Sequence, residues 1–260
     1  MGPGKVYDVP MKNQMHFLAL CCVVLLVGCA VQPNSSSTSP LGAATNWQIE
    51  AGTSITAPPA GVLTGALQTQ GSQVTGVFSG TPLCGTPQVM SFAGTIDSSG
   101  NLTLAPTPPY FYVQLAVPAN PTTVSTGTMS MIGQFCALAT APGPAVGVEI
   151  ASLTGTFAGP VTSSSASGNL SLMLTQSATP NSSGQFPLTG TLTFSNGACV
   201  ENGLASLAGT VSGIGLTLDA QNISVAASTN PAATQLTATS ITLPPGSCAS
   251  GVFSGTLARQ

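Results

Sequence analysis

Few side chains in this sequence could move a proton or make a bond. Beyond position 28 they are five acids (Glu50, Asp97, Glu149, Glu201, Asp219), one cation (Arg259) and five thiols (Cys29, Cys84, Cys136, Cys199, Cys248). The single histidine, His16, lies upstream of them. A Ser-His-Asp or Cys-His nucleophile needs an imidazole to take the proton, so neither can be built downstream of it. Histidine-ligated zinc fails for the same reason. The thiols contain no Cys-x-x-Cys pair, so no metal site is expected of them. What remains is carboxylate chemistry, as in the paired acids that hydrolyse glycosides. The acids are scattered over about 170 residues and form no recognisable pair; each reads as a solvated acid at a turn or strand end. No cofactor and no catalytic residue is expected.

Charge narrows the partners. Charged residues make up 3% of the sequence, against roughly 25% in an average globular domain. Phosphate backbones are held by many Lys and Arg, so one arginine excludes nucleic acid as a partner. Disordered chains combine low hydrophobicity with high charge. This chain has the opposite pattern, with 43% hydrophobic residues and a mean hydropathy of +0.40. Solubility must come from Ser, Thr, Asn and Gln.

The elements that position these residues read as strands. Leu170, Leu172 and Leu174 alternate with Ser171 and Met173, and Leu188, Gly190, Leu192 and Phe194 alternate with three threonines. Phe111, Val113, Leu115 and Val117 follow the same period of two, which puts one face on a core and the other in water. Thirty Gly and 21 Pro punctuate the chain too often for long helices. Pro-rich stretches at 105–109, 118–121 and 141–144 read as connections.

Cys84, Cys136, Cys199 and Cys248 mark an internal repeat of about 50–60 residues. Each is followed by a segment of one type, such as Ser91-Phe92-Ala93-Gly94-Thr95-Ile96 or Ser206-Leu207-Ala208-Gly209-Thr210-Val211. After it come a Gly-containing turn and a second apolar strand, and another strand precedes each Cys. The expected fold is all-β: an antiparallel meander of about 10–12 short strands from a roughly four-fold repeat, closed as a barrel or folded as a sandwich. In an oxidising compartment four cysteines favour two disulfides, with three possible connectivities. Cys84–Cys136 and Cys199–Cys248 are favoured, because each pair joins equivalent positions of consecutive repeats.

The N-terminal region carries an address. From Phe17 to Val27 runs an apolar stretch of 11 residues, too short for the roughly 20 that span a bilayer but the length of a signal-peptide core. Lys12 supplies a positive flank if translation starts at Met11. Leu26-Val27-Gly28-Cys29 resembles the lipobox of bacterial lipoprotein precursors at all four places. The resemblance covers roughly residues 11–29. It implies cleavage before Cys29, diacylation of its thiol and acylation of the new amine. Two or three chains would anchor the protein, where one binds only marginally. Ala30 is similar to the residue that follows Cys in lipoproteins sorted to the outer membrane. The expected organisation is a leader (1–28), a lipid-bearing Cys with a Ser-rich tether (29–45) and a β-rich repeat domain (46–260), with sub-domains near 46–178 and 179–260.

Aromatic residues are scarce, at 5%. Trp47 opens the first strand as either a core plug or a surface for stacking on a sugar. Tyr110 and Tyr112 would share one face of a strand as a binding platform. The leading functional expectation is a non-catalytic structural or binding module of the cell envelope, attached through lipid on Cys29 and facing envelope polysaccharide or another envelope protein. The alternatives are a carboxylate-dependent glycan-active enzyme and a lipidated outer-membrane barrel. The last would need strands of about 9–11 residues with aromatic girdles.

Overall fold

The computed structural model describes residues 42–55, 62–80, 88–107, 111–120, 122–131, 142–196, 199–201, 206–244 and 250–260. They fall within one compact unit, Pro40–Gln260. The leader, Cys29 and most of the tether lie outside the described residues.

The chain is all-β and antiparallel, as its alternation predicts. Eight strands form the first sheet: β1 (Thr45–Ala51), β2 (Val62–Gln70), β3 (Gln73–Gly80), β4 (Gln88–Ile96), β5 (Asn101–Pro106), β6 (Phe111–Ala116), β7 (Ser125–Met131) and β8 (Gly143–Ile150). Each pairs with the next, and β8 pairs back with β1 to close a barrel. The second sheet holds β9 (Gly155–Thr162), β10 (Ser167–Gln176), β11 (Phe186–Asn196), the three-residue β12 (Cys199–Glu201), β13 (Ser206–Ser212), β14 (Gly215–Ala220), β15 (Ile223–Thr229), β16 (Gln235–Leu243) and β17 (Gly251–Arg259). It too closes: β9 pairs with both β10 and β17, and β12 is a short addition on β11.

The alternation is apolar inside and polar outside on most strands; β8 is the exception, with Val146, Val148 and Ile150 outward and buried. Phe78 and Phe92 meet edge-to-face at 5.1 Å inside the first barrel, and Phe194 and Phe253 meet at 5.3 Å inside the second. On β11, Leu188, Leu192 and Phe194 are buried while Thr189 and Thr191 are exposed. A transmembrane barrel with a polar lumen needs the reverse.

The repeated Gly-Thr has a steric basis. Gly94 and Gly209 sit between inward apolar neighbours two residues to either side. A Cβ at either would overlap the carbonyl oxygen of the facing strand, Thr103 and Thr217 respectively. Only glycine lets the backbones approach so closely, which is how a strand coils tightly enough to close a small barrel.

Three expectations need correction in detail. The described residues form 17 strands, not 10–12. Four strands, not three, separate successive cysteines, so two four-stranded units make each barrel. The division between sheets falls at 151–154 and not at 178/179, because β9 and β10 pair with β17 and β11 instead of with the first barrel. Gly and Pro obscured the extra strands. The stretch 141–144 reads as a connection, yet Gly143 and Pro144 open β8, and Pro160 lies inside β9. Both prolines are exposed at positions where a missing N–H is tolerated.

The second barrel rests its terminal end on the outer wall of the first. The β13–β14 turn presents Gly213, at φ +57°, to β1. Asn46 clamps it through both amide atoms: its Nδ2 donates to the Gly213 carbonyl at 2.9 Å, and its Oδ1 accepts from the Gly213 N–H at 2.8 Å. Gln48 Oε1 accepts from the Ile214 N–H at 2.9 Å. Ser212 Oγ donates to Thr64 Oγ1 at 2.9 Å, and the Ala151 N–H donates to the Pro231 carbonyl at 2.8 Å.

Candidate functional site

Period two makes Thr45, Trp47 and Ile49 the inward face of β1, and Ala145, Gly147 and Glu149 the inward face of β8. The β1–β8 ladder sets Trp47 directly opposite Glu149. Directly opposed residues share a face, so the ring and the carboxylate are neighbours on the barrel's inner wall. They line a cavity of about 180 Å³ that opens at the end where β1 begins and β8 finishes. Leu67, Val74, Ile96, Leu102 and Val117 form its apolar wall, with Thr45, Thr69 and Ala43 at the rim.

The cup is polarised by one group. Half-burial pushes the Glu149 carboxyl above its ordinary value of about 4.5, and desolvation is the only cause. No hydrogen bond or ion pair to this carboxylate occurs among the described residues. Trp47 is 5% exposed, and its Nε1–H donates to Thr45 Oγ1 at 2.9 Å, which fixes the ring. Such a group can stack a ligand and hold a positive or proton-donating head.

The other acids are placed differently. Glu50 is buried on the outward face of β1, where it accepts from Gln48 Nε2 through Oε1 while Oε2 has no hydrogen-bond partner among the described residues. Burial raises its pKa, and the Gln48 amide offsets that in part. Asp97 caps the β4–β5 turn: Oδ1 accepts from the Ser99 and Asn101 N–H groups at 2.8 and 2.9 Å, and Oδ2 from Asn101 Nδ2 at 2.8 Å. The Asn101 side chain contributes most to its lowered pKa. Asp219 is exposed on β14. Glu50 and Glu149 lie on adjacent strands but face opposite sides of the wall. Glu201 is placed in β12, and its side chain lies outside the described residues.

Of the aromatic candidates, Trp47 is inside the first barrel. Tyr112 is 39% exposed on the outer face of β6, so the two are not brought together. Tyr110 lies outside the described residues, as do Cys84, Cys136, Cys248 and the Cys199 side chain. By chain order Cys84 falls between β3 and β4, and Cys136 between β7 and β8. Cys199 and Cys248 fall in the corresponding third and seventh connections of the second barrel.

No family model matches this chain. No curated protein and no solved structure matches it either.

The sequence groups Glu50 and Glu149 with solvated acids at turns or strand ends; Glu50 is instead fully buried, and Glu149 is half-buried inside the barrel. The signal for Glu149 is faint: Ala145, Gly147 and Glu149 alternate with Val146, Val148 and Ile150, and nothing local says which set faces the core. Only the pairing with Trp47 decides it.

Proposed function

We infer that this is a lipid-anchored extracytoplasmic protein of the bacterial cell envelope, a non-catalytic binding module with its binding end at the mouth of the first barrel. The observation that carries the reading is the open cup with Trp47 against Glu149, beside which the tether enters: Ala43 lines the rim, and Gln68 Nε2 donates to the Gly42 carbonyl at 2.9 Å. The polar outer faces of most strands, with the outward valines of β8 buried, support barrels that stand in water. The Leu26-Val27-Gly28-Cys29 lipobox supports attachment through acyl chains on Cys29, and Ala30 favours the outer membrane. Envelope polysaccharide or another envelope protein is the proposed class of partner.

The test is Cys29→Ser in the full chain. The wild type should be processed, sensitive to globomycin and carried into the detergent phase. The variant should be unprocessed or unanchored, and a processed variant still in the detergent phase would refute the anchor.

A carboxylate-dependent glycan-active enzyme is the second reading, favoured by the raised pKa of Glu149 in an open cup. Glycosidase chemistry asks for a second carboxyl about 5–9 Å away across the substrate, whereas the described residues that share the cup with Glu149 are an indole, aliphatic side chains and two threonines. Single replacement of Glu149 would cost orders of magnitude in rate if it acted as a general acid.

A further inference from the structure

We propose that the cup of the first barrel binds a small organic cation, an alkyl- or arylammonium whose head sits on Glu149 and whose body lies against Trp47. The proposal deepens the binding-module reading and rests on it.

The second barrel supplies the internal precedent. At the seam where its first and last strands meet, Phe157 stands opposite Arg259, as Trp47 stands opposite Glu149 in the first. There the guanidinium lies 5.5 Å from the Phe157 ring centre. It donates through Nη1 to the Ala233 carbonyl at 3.2 Å and through Nη2 to the Thr154 carbonyl. One barrel therefore closes its aromatic seam with its own cation. The other has a carboxylate at that place, and beyond position 28 the sequence contains no second Lys or Arg to pair with it.

The walls decide what kind of cation. A metal ion wants several oxygen ligands, and calcium takes about 6–8. Here one carboxylate is surrounded by Leu67, Ile96, Leu102 and an indole, which suits an ammonium with an apolar body. The cavity, at about 180 Å³, compares with the roughly 150 Å³ that holds a benzene ring. The Trp47 N–H is already donated to Thr45 Oγ1, so it is not the partner of the Glu149 carboxylate.

Trp47 is the single tryptophan of the chain, so its emission reports on this cup alone. The full chain is titrated with benzylammonium, benzyl alcohol and benzoate, which share a ring and differ in charge. Benzylammonium should give a saturable change at about millimolar concentration, with benzyl alcohol at least about tenfold weaker and benzoate weaker still. Glu149→Gln should bring the ammonium down to the alcohol's affinity while leaving alcohol binding in place, which also shows that the variant is folded. Glu50→Gln, on the outer face, should change neither. Equal affinity for ammonium and alcohol in the wild type would overturn the cation assignment and leave the mouth as a neutral binding end. A saturable response to none of the three would overturn both.

Discussion

Glu50 illustrates how a single buried acid sets the response of this protein to pH. Burial holds its folded pKa above the ordinary value of about 4.5, so its neutral form is the one the fold favours. The stability it contributes is fully present in acid and is lost as pH rises through the raised pKa. Glu149 acts in the same direction. Asp97, whose pKa is lowered, acts in the other: its contribution is present above its ordinary value of 3.8 and is lost as pH falls. That carboxylate is fully exposed and weighs little. Melting temperature should therefore decline from pH 5 to pH 8, and Glu50→Gln, which keeps an oxygen for the Gln48 amide, should decline less. A variant that declines as steeply as the wild type would show that Glu50 is not the group responsible. At the same scale, Gly94→Ala and Gly209→Ala should each cost about 1–3 kcal/mol in urea unfolding, because the new methyl meets a backbone carbonyl. The neighbouring outward Thr95→Ala should stay within about 0.5 kcal/mol. Equal effects at positions 94 and 95 would remove the steric account of the repeat.

Strands were legible in the sequence wherever alternation was clean, and obscured wherever Gly or Pro broke it. Leu170, Leu172 and Leu174 on β10 are all buried, as their period of two requires. β8 and β9 were harder to read because Gly143, Pro144, Gly159 and Pro160 carry the composition of a loop. Closure as a barrel stood beside a sandwich as an alternative, but which strands close it was not legible. Pairing of β8 with β1, which creates the Trp47–Glu149 neighbourhood, joins residues about a hundred positions apart and leaves no local trace. The contact between barrels was equally hidden: Asn46 reads as an ordinary polar strand residue until the β13–β14 turn is placed beside it. Asn46→Ala would leave the buried Gly213 N–H and carbonyl unpaired, and should cost about 2 kcal/mol in urea unfolding. A loss below about 0.5 kcal/mol would mean that this clamp does not contribute to holding the fold together.

The whole molecule repeats one plan twice, with cysteines in the third and seventh connections of each barrel. Antiparallel alternation places the strand ends flanking Cys84 and Cys136 at one end of the first barrel, and those flanking Cys199 and Cys248 at one end of the second. Pairing within each barrel is the proposal that follows. Cleavage after Glu50, Glu149 and Glu201 of the denatured, non-reduced chain should release 51–149 alone and 150–201 linked to 202–260. A single species holding all three fragments would contradict it. We propose that the barrels are water-facing modules and that the membrane is reached only through residues ahead of position 40. The most direct test is the phase behaviour of a fragment covering 40–260, the compact unit, on cloud-point separation of a non-ionic detergent. The fragment should stay in the aqueous phase with a sheet-type circular dichroism spectrum. Recovery of the folded fragment in the detergent phase would contradict it, because the barrels themselves would then be the membrane-seeking part.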